Sequence, residues 1–381
     1  MPVRAIPILP QTPRGYPALT GLRGLGAAWV FAFHWNVFQS GASPVPGMAH
    51  GYLGVDMFFL LSGFIMAHSK YLTFTATGFP ATYGRFAAER LARLFPTNAA
   101  VLALYGACVF LVPSVGDGWD DGTFTGGGFL RGLFLVQSWF TAPMGWIVPG
   151  WSLSVEIVAY ACLPVVLLLA RRAHHPVWLA AGCLAAFALV ILLNGGLDPN
   201  VKNRGGFIRV AFEFTAGVAL YEAHRRGHRI PSGPGTCAVL CLLALAVTLP
   251  APAAFLALPA FAILVPLAAR PGFASRVLET APLRFLGRVS YSFYLIQWPV
   301  LMFWAHYHGM QMGAAANAAM TAGTVGLAAC VYYCVEAPSH GWARRVAKRA
   351  RPERRNTAIA GERDRTPRPV EADGRAWTRL A

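Results

Sequence analysis

Ten stretches of about 20 mostly apolar residues recur along the chain, at roughly 17–38, 51–69, 97–114, 152–170, 176–194, 207–223, 235–250, 253–269, 287–306 and 313–335. That length is what an α-helix needs to cross a bilayer. Within hydrocarbon every backbone N–H and C=O must be satisfied inside its own segment, so repeated apolar runs imply helices. The expected fold is therefore an all-α, polytopic transmembrane bundle of about ten spans. The seventh and eighth runs are short and separated only by Pro250-Ala251-Pro252, which reads as a tight hairpin. Charged residues make up 13% of the chain, against about a quarter in a soluble domain.

The net charge is +16, but its placement excludes a nucleic-acid partner. Arg and Lys sit in short segments between apolar runs and in the last forty or so residues, as in cytoplasmic loops. With the N-terminus inside, the inner segments hold Arg85, Arg90, Arg93, Arg171, Arg172, Arg225, Arg226 and many others, while the outer ones hold only Arg131, Lys202 and Arg204, with Arg209 just inside the sixth run. Both termini are thus expected in the cytoplasm, in a multi-pass protein of the cytoplasmic (inner) membrane. The opening residues lack the apolar core of a signal peptide. The expected organisation is a cytoplasmic segment 1–16, a membrane domain 17–338 and a basic, disordered, lipid-facing tail 339–381. Residues 84–96 read as a separate basic amphipathic segment on the inner side, and 115–150 as a long outer loop rich in Gly and aromatics. Seven cysteines all lie in apolar runs and read as packing residues, with no ligand set for a metal.

Ionisable groups inside spans are costly and mark candidate functional sites. Arg23 and His34 lie eleven residues apart in the first run, close to three helical turns, so they share a face about 16 Å apart. The orientation places Arg23 deep and His34 near the outside. Asp56 and Glu156 fall in the outer halves of their runs, at the expected depth of His34. A His beside a carboxylate is a general-base pair, the carboxylate holding the tautomer. The alternatives are a buried polar network locking helices together and a proton-coupled transporter, which uses the same residue types. Arg90 and Arg93, i,i+3 on one face, suit a polyphosphate, or equally lipid headgroups.

The chain resembles the acyltransferase 3 family of bacterial integral membrane acyltransferases. LTGLRGLGAAWVFAFHW is similar to its opening helix, with Arg23, ten residues, then His34. GVDMFFLLSGF, RLARLFP, WSLSVEI, LGRVSYSFYLIQWPV and VEAP resemble five further motifs. Two positions depart: Gln297 stands where a His is common, and Ile157 follows Glu156. The resemblance implies transfer of an acyl group, usually acetyl, from acyl-CoA to a hydroxyl of a carbohydrate or glycolipid acceptor. No permanently bound cofactor is expected; acyl-CoA is a substrate. It implies catalytic roles for His34, Asp56 and Glu156, and phosphate binding by Arg90, Arg93 and Arg23. His34 would deprotonate the acceptor and Asp56 would hold the imidazole. An oxyanion donor is needed, with Ser62 and Ser152 as candidates. The competing function is a flippase that moves a glycan or acyl group without making a bond.

Overall fold

A computed structural model describes residues 15–39, 47–76, 79–116, 124–139, 145–309 and 313–349. Its helices, in chain order, are α1 (Pro17–Phe38), α2 (Leu53–Ala76), α3 (Phe79–Leu111), α4 (Gly126–Leu133), α5 (Trp151–Arg172), α6 (Pro176–Leu193), α7 (Arg204–Arg225), α8 (Ser232–Thr248), α9 (Ala257–Ala268), α10 (Phe273–Leu278), α11 (Ala281–His308), α12 (Ala314–Val331) and α13 (Ala337–Arg349). No strand occurs among the described residues. Helix covers each of the ten apolar stretches. Four helical segments among the described residues are long and apolar enough to cross a membrane: 83–111, 148–172, 176–193 and 314–342. Large apolar side chains face outward on them, such as Phe110 (85% exposed) and Trp178 (74%). Such faces suit lipid rather than water.

Three boundaries differ from expectation. Residues 84–96 are not a separate segment, because α3 runs unbroken through Pro96. A proline removes one backbone donor and frees the carbonyl four residues back, that of Ala92, which a packed helix tolerates when its neighbours hold it; α11 braces this turn, with Tyr291 Oη donating to the Leu94 carbonyl at 2.7 Å. The outer loop contains α4, capped by Thr125 Oγ1, which accepts from Gly128 N at 3.0 Å. The tail boundary expected at 339 falls inside α13, which packs on α3. The rest of that tail, 350–381, and residues 1–14 lie outside the described residues.

Two apolar cores meet along α1. Leu19, Leu22 and Val30 join a core built largely from α2, α5, α6, α7 and α9. Ala27 and Phe31 join a second core from α3, α11 and α12. Phe58 and Tyr160 pack against both, so they mark the seam between the halves.

Glycines set how closely the helices bordering that seam approach. A Cβ on Gly287 of α11 would stand 1.8 Å from the Thr20 carbonyl oxygen of α1, and one on Gly217 of α7 would stand 2.0 Å from the Leu60 carbonyl oxygen of α2. Such contacts are backbone on backbone and cannot relax by rotating a side chain. Gly217→Ala is therefore expected to push α7 off α2 and to cost about 1–3 kcal/mol or more. A lower thermal unfolding midpoint in detergent would register it; an unchanged midpoint would refute the close packing.

Candidate active site

The seam encloses a cavity of about 110 Å³. Arg23 from α1, Ser62 from α2, Arg93 from α3, Ser152, Glu156 and Tyr160 from α5, and Tyr291 and Tyr294 from α11 all line it. The tight α1–α11 crossing brings Arg23 to the cavity, and the i,i+3 face of α3 brings Arg93.

Glu156 is held firmly. Its Oε1 accepts from Ser62 Oγ at 2.7 Å and from Tyr160 Oη at 2.6 Å. Arg23 and Arg90 each lie within electrostatic range of this carboxylate, and each is close to Arg93. Arg23 and Arg93 form no hydrogen bond or ion pair with any described residue. Arg90 rests against Phe86, 5.9 Å from the ring centroid, and its buried Nε has no partner. Like charges gathered with so little compensation favour an anionic ligand. Arg85 does not join them; it pairs with Glu89 at 3.1 Å, as does Lys70 at 2.5 Å.

Glu336 backs this group. The expected end of the membrane domain folds as a π-helical turn, Tyr332–Glu336, a local irregularity frequent at functional sites. The turn buries the Glu336 carboxylate, which accepts from Ser292 Oγ at 2.6 Å and lies within electrostatic range of Arg93 and Arg23.

His34 stands apart from the cavity lining. It is half-buried, with its ring edge-on to Trp298 at 5.5 Å and tilted against Phe33 at 5.3 Å. Gln297 reaches toward the imidazole. That contact is loose, because buried His34 Nδ1 and Gln297 Oε1 both lack a partner of full hydrogen-bond geometry. Lys202, in the loop before α7, lies within electrostatic range of His34. Burial, then the nearby Arg209, holds the Lys202 ammonium below its usual range, while Asp198 acts the other way.

Asp56 is not paired with His34 among the described residues. It forms a fully buried ion pair with Arg209, with Nε donating to Oδ1 at 2.8 Å and Nη2 to Oδ2 at 2.5 Å. Arg209 Nη2 also donates to the Tyr52 carbonyl at 3.2 Å, and the guanidinium lies 5.6 Å from the Trp151 ring centroid. Glu213, one turn along α7, is buried 3.9 Å from Arg209. A carboxylate in an apolar interior needs a full positive charge beside it, and Arg209 meets that need where a neutral imidazole would not.

The expected common depth of His34, Asp56 and Glu156 also divides. Glu156 is bonded to Ser62, six residues beyond Asp56 on α2, which is about 9 Å of helix rise. Glu156 therefore lies with the arginines. The candidate oxyanion donors divide too: Ser62 is committed to Glu156, whereas Ser152 Oγ lies 2.8 Å from Tyr294 Oη.

The start of α5 is tied down by its own motif. Ser138 N donates to Ser154 Oγ at 3.2 Å, Ser138 Oγ donates to the Trp151 carbonyl at 3.1 Å, and Trp139 Nε1 donates to the Ser154 carbonyl at 3.3 Å. Sequence reasoning named neither Glu213 nor Tyr160 and counted Arg209 only toward orientation. The cost of burying charge in an apolar run, applied to 207–223, points to Arg209 and Glu213 as it did to Arg23. No group of three or more His, Cys, Asp or Glu among the described residues could hold a metal.

A family model described as an acyltransferase domain matches residues 16–334. The acyltransferase MdmB of Streptomyces mycarofaciens is 30% identical over 349 residues, covering 82% of this chain and 86% of that relative. The peptidoglycan O-acetyltransferase OatA of Listeria monocytogenes is 24% identical over 326 residues, covering 75% of this chain. The match spans 49% of OatA's own length. No solved structure matches the chain.

Proposed function

Because the chain belongs to the acyltransferase 3 family, we propose that it is a membrane-embedded O-acyltransferase carrying an acyl group, usually acetyl, from acyl-CoA to a hydroxyl of a carbohydrate or glycolipid acceptor. The observation that carries this reading is the convergence of Arg23 and Arg93 on one cavity lined by a fixed carboxylate, with Arg90 close to Arg93 behind them. The donor's phosphates engage the arginines. Its thioester points along the seam toward His34, the general base. Asp56, locked to Arg209, holds α2 on α7, beside that path. The chain crosses the cytoplasmic membrane about ten times with both termini inside. The basic residues between apolar runs support that orientation, and it puts the arginines on the side where acyl-CoA is made. The name of the peptidoglycan-acetylating relative supports a carbohydrate acceptor.

The test uses purified protein, acetyl-CoA and a cell-wall glycan. Release of free CoA thiol together with acetylation of the glycan is expected. Passage of glycan into proteoliposomes without acetyl-CoA consumption would instead make the chain a flippase. Arg93→Ala is expected to raise KM for acetyl-CoA by about ten- to a hundredfold, the size of a lost charge-assisted bond, with kcat little changed. Acetyl-pantetheine, which lacks the nucleotide phosphates, should show no such difference between wild type and variant. An equal loss with both donors would remove Arg93 from phosphate binding.

A further inference from the structure

We propose that Ser152 and Tyr294 form the oxyanion hole of this site, one hydroxyl donating to the thioester carbonyl oxygen as it becomes a tetrahedral oxyanion while the other keeps the Pro149 carbonyl satisfied and its partner in place. The inference rests on reading the cavity as the acyl-CoA site.

Three oxygens form a closed triangle at the start of α5. Ser152 Oγ lies 2.8 Å from Tyr294 Oη, and the Pro149 carbonyl oxygen lies 3.1 Å from the first and 3.0 Å from the second. The triangle has three edges but only two hydroxyl protons. One hydroxyl can therefore turn its proton to a ligand while the other continues to serve Pro149. A neutral hydrogen bond is exchanged for one to an ionised acceptor, which is about twice as strong. The arrangement is already in place before the charge develops, as electrostatic stabilisation requires.

The other hydroxyls lining the cavity are committed. Ser290 donates to the Gly287 carbonyl at 2.9 Å and Tyr291 to the Leu94 carbonyl at 2.7 Å. Ser62 and Tyr160 also lie within reach of each other, but both point at the Glu156 carboxylate, which holds their protons and would repel an oxyanion. The Ser152–Tyr294 pair makes no hydrogen bond to Glu156, and although that carboxylate is within electrostatic range of Tyr294, so is Arg209, which acts more strongly and with the opposite sign.

The base lies toward the pair along α11. Trp298, which touches the His34 ring, is four residues beyond Tyr294 and so on the same face of α11, one turn or about 5.4 Å of rise away. In the step itself, the acceptor hydroxyl gives its proton to His34 as its oxygen adds to the thioester carbon, and the carbonyl electron pair moves to the oxygen facing Ser152 and Tyr294. Collapse breaks the C–S bond. The thiolate takes the proton from the imidazolium, leaving an ester and free CoA.

The experiment measures binding of acetyl-CoA and of its trifluoromethyl ketone analogue, whose hydrate carries tetrahedral oxygens, to wild type, Tyr294→Phe, Ser152→Ala and Ser152→Thr. Wild-type affinity for acetyl-CoA in all four, with the analogue weakened tenfold or more in Tyr294→Phe and Ser152→Ala and restored in Ser152→Thr, is the expected result. Where transfer is measured, kcat should fall by about 10²–10³ with KM for acetyl-CoA unchanged. If the variants bind the analogue as tightly as wild type, the hole is elsewhere. If wild type binds neither compound, the acyl-CoA reading fails and takes the inference with it. Should Tyr294→Phe not fold, the two Ser152 variants decide the matter alone.

Discussion

His34→Gln is expected to lower kcat for acyl transfer by about 10²–10⁴-fold, the usual contribution of a general base. Affinity for acetyl-CoA should stay near wild type, because the arginines that would hold the donor lie along the seam from His34 and do not touch it. Equilibrium binding and steady-state kinetics on the same preparation separate the two effects. If the variant retained full kcat, the base would have to be another group. The surroundings would make His34 an unusual base. No carboxylate orients it among the described residues; it has Trp298 and Phe33 against its ring and only a loose contact from Gln297. Its tautomer is therefore not set by a fixed partner on Nδ1. With His34 as the base, the acceptor hydroxyl, or water arriving with it, would supply that partner, which would tie deprotonation to acceptor binding.

The second large effect concerns stability. Arg209→Met should destabilise the protein by about 3–5 kcal/mol, because it leaves Asp56 buried without its counter-charge. Glu213 lies beside the same gap, so two carboxyl groups would face each other. Asp56→Leu combined with Arg209→Met should recover much of the loss, since replacing a whole buried pair with apolar side chains is often close to neutral. Thermal unfolding in detergent of the two single variants and the double variant gives the coupling directly. Wild-type stability in Arg209→Met would mean that the pair does not hold α2 to α7.

That pair shows how the sequence and the structure divide the information. Asp56 was visible as a charge in an apolar run, but its partner was not. Arg209 lies 153 residues away, and no local spacing says which of several cations a buried carboxylate will reach. His34 was the nearer candidate by expected depth. The α2–α7 contact, made possible by Gly63 and Gly217, delivered Arg209 instead. Arg23, Arg90 and Arg93 were legible as cations on particular helix faces, yet their convergence with Glu156 and Glu336 needed the crossing of α1, α3, α5 and α11. Ser152 was one of two equal candidates for the oxyanion, and only the position of Pro149 and Tyr294 distinguished it from Ser62.

By itself, the sequence determined that the described part of the chain is all-helical, where its ten apolar stretches lie, and which charged groups would have to be accommodated in apolar surroundings. These properties follow from local chemistry: the length of apolar runs, the period of the helix and the cost of burying charge. The tertiary structure alone decided which buried charges are neutralised and which are left facing a cavity. Asp56 is spent on Arg209 to hold two helices together, while Arg23 and Arg93 are left without hydrogen-bond or ion-pair partners among the described residues, beside a hydrogen-bonded Glu156. The reason is that pairing energy between charges depends on distances of a few ångströms between helices far apart in the chain, and helix packing sets those distances.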